Sequence, residues 1–421
     1  MQSKERVFIT AFGAITPLGS SFQEIDYHLK NNISGIKKIE KFSCDSFLTY
    51  HAGIPNEGNE YIRWPAKKPI NGEVFYSRLS MQNLLKDQNF PHNFYDPYRL
   101  GCIVGVDEPF LDLSIVNKMF SCYSKEHLNK NDTLELMSKY FKMQDFLSLE
   151  PSIVLSEIYS QFPFHGISLC HMGLCSASLQ AIGMGYQYLQ NNILDAIIVG
   201  GVSGKVTPMN LARLELMNVI STDTHLNPDL RSRPFDARRS GFVLAEGAVL
   251  FLLEKESNIL QRKATTLIEI LGYGSSLGAE HIVTPHSTSL EMSLSMSRAL
   301  FDANITSDKI DLINAHGTST VLNDKHESQA INKVFENRNV KVTANKSFHG
   351  HLIAAAGAME ILNTIISSKG GYVPATINLE NQDSSCNINL ISKLLNDNNV
   401  EFILKNSFGM GGLAASMILR T

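Results

Sequence analysis

The chain has 421 residues, 43% of them hydrophobic, and a formal net charge of −4. That length allows a large buried core and two to three domain-sized units, and the even composition excludes a disordered or fibrous class. The mild acidity argues against a general nucleic-acid binder, which needs a basic footprint for phosphate.

At the N-terminus, MQSKERVFITAFGAITPLG places charge before apolar residues as a secretion signal does, but Thr10, Thr16 and Pro17 interrupt the run. The β-branched and aromatic residues 7–10 instead predict a first strand that ends in a turn over 13–19. No stretch of about 18 uninterrupted apolar residues is present, so no membrane-spanning helix is expected. Residues 40–150, with Trp64 and many aromatics but no steady periodicity, read as an insertion or partner-facing region. Within them Arg63, Lys67 and Lys68 form a basic run, either a solvated loop or a dock for an acidic partner.

Six cysteines (Cys44, Cys102, Cys122, Cys170, Cys175 and Cys386) scatter without CxxC spacing, which disfavours a zinc site or a disulfide framework and suits a reducing cytoplasm. Around one of them, ISLCHMGLCSASLQAIGMGYQYLQ passes from a short apolar run through Gly173 to a small-residue helical pattern. Cys175 therefore falls at a strand-to-helix elbow, where unpaired N–H groups are expected to lower the thiol pKa. A lone cysteine at such a place is more often a buried structural one, and Cys170 keeps that reading.

Further along, the apolar run at 267–271 is followed by Gly272, Gly274 and Gly278, so LIEILGYGSSLG faintly echoes VFITAFGAITPLG. Thr288 and Glu291 have capping-box spacing ahead of Leu290, Leu294, Leu300 and Ala303, which predicts an amphipathic helix ending near Asn304. A buried strand at 310–314 then leads into the polar turn AHGTST. Helical and strand patterns alternate through both parts of the chain, an α/β class with helices against sheets and a junction near 257–264.

Taken together, Cys175, NAHGTSTVLND at 314–324, NKSFHGHLIAAAG at 345–357 and NSFGMGG at 406–412 resemble the β-ketoacyl synthase family. RPFDARRSGFVLAEGAVLFLLE at 233–254 resembles the segment closing that family's first half, and the match is specific from about residue 165 onward. The resemblance implies a thiolase fold, a duplicated five-layer αβαβα arrangement. Its halves would span 1–257, carrying the nucleophilic cysteine, and 258–421, carrying two histidines. It also implies a homodimer, and leaves open a heterodimer with a related ketosynthase-like subunit.

The implied reaction is decarboxylative condensation between two thioesters on an acyl carrier protein. Cys175 would hold the acyl group, and His316 and His351 would donate Nε2–H bonds to the enolate oxygen formed when malonyl loses carbon dioxide. Lys346 would organise the polar groups around the histidines with Glu360 as its partner, and Asp324 and Glu327 would support the His316 loop. Phe408, Gly409, Met410 and Gly411 form the closing loop, whose Met410 N–H joins that of Cys175 as an oxyanion donor. Phosphopantetheine would arrive on the carrier, so neither a cofactor nor a metal is expected.

The chain departs from the family's FGFGGTN, reading FGMGGLA, so Met410 replaces a gating aromatic, and Leu413 and Ala414 replace Thr and Asn. In RDGFVxGEGA an Asp and a Gly become Ser240 and Ala245, and His165 and His349 stand where structural roles suffice. These changes point to a specialised synthase making polyketide or polyene chains instead of the housekeeping enzyme of fatty-acid biosynthesis, with fatty-acid-like products left open. Two other functions fit the same motifs: an acyltransferase without condensation, and a non-catalytic partner subunit. Retention of Cys175, His316 and His351 argues against the latter.

Overall fold

The computed structural model describes residues 5–57, 72–109, 117, 120, 135, 138, 149–223, 226–336 and 338–421. Trp64, the basic run Arg63, Lys67 and Lys68, Cys122 and most of 110–148 lie outside the described residues.

Five strands from the first part of the chain, β1 (Val7–Ile15), β2 (Leu100–Gly105), β3 (Ser168–His171), β4 (Ala196–Ser203) and β5 (Gly247–Lys255), pair in the order β3-β2-β4-β5-β1. Five from the second, β6 (Ile268–Leu277), β7 (Leu312–Asn314), β8 (Lys341–Thr343), β9 (Phe402–Gly409) and β10 (Leu413–Arg420), pair as β8-β7-β9-β10-β6. Both runs have the same directions: the first three strands are parallel, and the last two join antiparallel. The runs meet where Val7, Phe8 and Ile9 of β1 pair with Ile270, Glu269 and Ile268 of β6.

Alternation along the strands sorts the core into layers, because successive side chains point to opposite faces. On β5, Val249, Phe251 and Leu253 face one cluster while Ala248, Leu250 and Leu252 face another. The first cluster contains helices α3 (Ala177–Gln190) and α6 (Ala356–Lys369), with Ile403, Met417 and Leu419 from the second sheet. On the outer face of the first sheet lie α1 (Gly72–Leu85) and α2 (Ile153–Tyr159). The outer face of the second carries α4 (Leu290–Ala303) and α5 (Val321–Val334). The result is the five-layer αβαβα stack of the thiolase fold. Helix α6 is buried on every side from Ala356 to Ser367, as a helix of a central layer must be.

Three local expectations need correction. Strand β1 runs on through Gly13 to Ile15, and β6 runs through Gly272 and Gly274, so these glycines end no strand. They allow close approach instead: a Cβ on Gly13 would overlap the Ser80 carbonyl of α1, and one on Gly272 the Ala299 carbonyl of α4. The turn proper is confined to Thr16–Gly19, closed by two backbone hydrogen bonds of 3.0 and 3.1 Å.

The capping box ahead of α4 does not form either. Ser289 precedes the helix with φ 53°, and the Glu291 carboxylate turns inward to accept the His286 N–H at 3.1 Å. At the other end Asn304, left-handed with φ 54°, closes the helix at the expected place. Among the described residues no helix is long and apolar enough to cross a membrane.

Candidate active site

Two elbows of the same construction face one another through the central layer. After β3, a single tight turn at Leu174–Ser176 leads into α3; after β8, the turn Ile353–Ala355 leads into α6. Each opens on a left-handed, non-glycine residue, Leu174 at φ 49° and Ile353 at φ 42°. Cys175 lies on the first elbow, 5% exposed, and His351 stands two residues before the strained residue of the second. His316 comes from the loop after β7. The sulfur and a ring nitrogen of each histidine lie within 4.8 Å of one another, all buried. The imidazoles meet edge to face at 5.4 Å, and Phe242 and Phe408 wall them in.

Backbone and side-chain partners set the tautomers. His351 Nδ1 accepts the Ile353 N–H at 3.1 Å, so its proton sits on Nε2, and that buried nitrogen has no protein partner. Lys346 Nζ lies 3.1 Å from His316 Nδ1 and donates to it, which leaves the single ring proton of His316 on Nε2 as well. Lys346 spends its other donors on the His316 carbonyl and on Glu360 Oε1, both at 2.6 Å. Burial first, and the Lys346 ammonium second, hold both rings well below the usual histidine pKa, so they are neutral donors at physiological pH.

The His316 loop hangs from two buried carboxylates on α5. Glu327 accepts the N–H groups of His316 and Gly317 at 2.7 and 2.8 Å, and Asp324 accepts those of Thr318 and Phe235 at 3.0 and 2.8 Å. Arg239 stands 3.4 Å from Asp324. The closing loop approaches from the opposite side. A Cβ on Gly409 would stand 3.5 Å from the Cys175 nitrogen, and the Met410 N–H is directed at the Cys175 thiol. Phe408 is buried, and Gly411 and Gly412 take left-handed φ of 76° and 79°.

The expected lowering of the thiol pKa is not found. Burial pushes the Cys175 thiol up to about 12, outweighing the Lys346 charge and the Met410 N–H, which act the other way. A single turn of helix N-terminus does not compensate for removing a thiolate from water. Cys170 lies on β3, half-buried, with its sulfur 3.2 Å from the Pro151 carbonyl. His349 is fully buried, donating from Nδ1 to the Gly350 carbonyl at 2.8 Å, while His165 is exposed beside Tyr98 and Tyr159.

Two further groups carry no motif that sequence reasoning recognised. Lys405, on β9, is fully buried and 2.6 Å from Glu360 Oε2, so one carboxylate holds two ammonium groups. Asp107, just past β2, accepts the Ala354 N–H of the second elbow at 3.1 Å and the Ser203 hydroxyl at 2.7 Å. A lysine inside the apolar strand FILKNSFG was the available signal for the first; nothing in VGVDEP singles out the second. The Cys175, His316 and His351 donors are the one grouping of metal-ligand spacing among the described residues, but the ammonium beside His316 opposes a cation there.

Paired five-strand runs around two central helices, with the buried Cys175–His316–His351 cluster where their elbows meet, define a protein of the thiolase fold. Residues 77–258 match the family model "Beta-ketoacyl synthase, N-terminal domain", and residues 267–380 match "Beta-ketoacyl synthase, C-terminal domain". The chain belongs to the β-ketoacyl synthase family, the condensing acyltransferases.

A 3-oxoacyl-acyl-carrier-protein synthase 2 of Coxiella burnetii is 29% identical over 422 residues, covering 99% of this chain and 98% of that one. The ishigamide ketosynthase/chain length factor structure superposes with TM-score 0.83 at 25% identity over the whole of both chains. A ketosynthase bound to a hexaketide, in complex with its type II PKS acyl-carrier protein, gives TM-score 0.86 at 24% identity, again over both whole chains, and attests the fold.

Proposed function

We propose that the protein is a β-ketoacyl-acyl-carrier-protein synthase in which Cys175 carries the growing acyl group and His316 and His351 drive loss of carbon dioxide from malonyl-carrier protein. In the first step the Cys175 sulfur attacks the acyl thioester, and the carrier's thiol leaves. The N–H groups of Cys175 and Met410 would receive the negative oxygen of that intermediate. In the second, the bond to the malonyl carboxylate breaks, carbon dioxide departs, and the electron pair becomes an enolate whose oxygen lies against the two Nε2–H donors. The enolate carbon then attacks the Cys175 thioester, forming the new carbon–carbon bond and returning the thiolate.

The single observation that carries this reading is the orphaned, buried Nε2–H of His351, locked in its tautomer beside the His316 ring and the Cys175 sulfur. A buried donor with no partner is costly unless a ligand oxygen supplies one. Phe408, Gly409, Met410 and Gly411 would act as the gating loop, with Met410 replacing a stiff ring by a flexible thioether and so reshaping the acyl entrance. Lys346, Glu360, Asp324 and Glu327 hold the histidines and do no chemistry themselves.

The reading places the protein in the cytoplasm, divides it into halves 1–257 and 258–421, and makes acyl carrier protein its partner, the source of the phosphopantetheine arm. Relatives named as a ketosynthase/chain length factor and as a ketosynthase with its carrier protein support pairing either with itself or with a related subunit. They also favour specialised polyketide-type chains. Intact-mass spectrometry after exposure to hexanoyl-carrier protein tests the first step. The wild type gains one acyl mass and Cys175→Ala gains none; an acyl adduct retained by the variant defeats the proposal. Acyl transfer without release of carbon dioxide from malonyl-carrier protein would favour the plain acyltransferase instead.

A further inference from the structure

Outside the groups already given a role, the most unusual buried side chain is Lys405. It sits in the middle of β9, between Leu404 and Asn406, with its Cα opposite Asn314 on one neighbouring strand and Met417 on the other. An ammonium removed from water in this way costs several kcal/mol (of order) unless it is paired and hydrogen-bonded. An apolar side chain would suit the strand better unless the charge has a use.

Its contacts indicate that use. Nζ lies 2.6 Å from Glu360 Oε2 on α6, donates to the carbonyl of Asn406, and stands 3.5 Å from the carbonyls of Asn314 and Ala315, just before His316. Lys346 holds the other oxygen of Glu360 and the His316 ring. Asn406, next in the chain, reaches Glu327 with its amide at 3.3 Å, so the same stretch of β9 touches one of the two carboxylates that anchor the His316 loop and, through Lys405, the carboxylate that holds Lys346. Three residues beyond Lys405 the gating loop begins.

Resting on the ketosynthase reading above, we infer that Lys405 is a positioning residue for the decarboxylation step. It fixes the His316 loop against the strand that leads into Met410, and sets a second positive charge near the two imidazoles where enolate charge develops. The titratable groups facing it are Glu360, Lys346 and Glu327, and its charge acts in turn on His316, His349 and His351. Burial brings the Lys405 pKa down to about 8 against the pull of Glu360, so the ammonium is present below that pH and is lost as pH rises through it.

The two half-reactions therefore respond oppositely to alkali. Acyl loading uses a thiol with a pKa near 12 and speeds up with pH. Decarboxylation slows once Lys405 deprotonates. The test measures both on the full-length wild type from pH 6 to 9.5, using hexanoyl-carrier protein for loading and radiolabelled carbon dioxide release from malonyl-carrier protein for the second step.

The expected result is an alkaline limb near pH 8 on carbon dioxide release alone. In Lys405→Met, release is expected to fall about tenfold relative to loading, less than the loss of a direct oxyanion donor, and to lose that limb. A wild-type profile flat through pH 9.5, a limb that persists in the variant, or an equal fall in both steps overturns the inference. The wild-type profile decides the matter even if the variant does not fold. A loaded wild type that releases no carbon dioxide at any pH sinks the ketosynthase reading itself, which is a different failure.

Discussion

The two elbows share a backbone and differ in what they present. At the first, the tight turn Leu174–Ser176 lifts Cys175 to its crest; at the second, the equivalent crest residue of Ile353–Ala355 is Ala354, with no functional side chain. In the second half the proposed chemistry falls instead to His351, just before the turn, and to His316, two residues past the end of β7. The first half has its own residue two past the end of β2, Asp107, and it reaches across to the Ala354 N–H. One backbone geometry thus occurs twice. In the proposed function one copy carries the nucleophile and the other a set of donors.

The comparison breaks most sharply at the histidines. His351→Ala or His316→Ala is expected to lower carbon dioxide release about 10²–10³-fold while Cys175 still loads, the cost of removing one donor from a preorganised oxyanion site. Equal loss of both steps would mean that the second half also serves acylation.

Next in size is the shared carboxylate. Glu360→Ala leaves two buried ammonium groups unpaired and should cost about 3–5 kcal/mol of stability, read as a drop in the urea midpoint. Its first-half counterpart in role, Asp107→Ala, loses one hydrogen bond to the opposite elbow and one to the Ser203 hydroxyl and should cost about 1–3 kcal/mol. A larger loss for Asp107 than for Glu360 would reverse the ranking of the two supports.

The smallest effect concerns the strained residue of the first elbow. Leu174→Gly should change stability by no more than about 1 kcal/mol, because relief of the left-handed backbone offsets the added chain freedom. Ile353→Gly should cost more, about 2–5 kcal/mol, because the Ile353 side chain is buried in the core, and thermal melts of the two variants compare them directly.

The histidines and the cysteine were legible because each sits in a contiguous motif whose residues must all be local: His316 with the turn that exposes it, His351 with the small residues that start α6. The five-layer fold was legible through the same motifs and the echo between β1 and β6. Strand lengths were not, since Gly13, Gly272 and Gly274 look like turn residues in sequence and serve instead to let helices α1 and α4 press against the sheet. The capping box failed because Glu291 satisfies the His286 N–H in a buried corner, a tertiary partner that spacing cannot disclose. Lys405 and Asp107 escaped notice for the same reason: their partners lie 45 and 247 residues away along the chain. The thiol pKa departs from the sequence expectation because a helix terminus is visible in sequence, whereas the burial of the sulfur is not.

The division of labour between the elbows is tested most directly by a single-turnover experiment that follows acyl loading and carbon dioxide release separately in wild type, Cys175→Ala and His351→Ala. Loading should vanish in the cysteine variant and survive in the histidine variant, with release crippled in the latter. A histidine variant that loads and decarboxylates at wild-type rates would contradict the assignment of that chemistry to the second elbow.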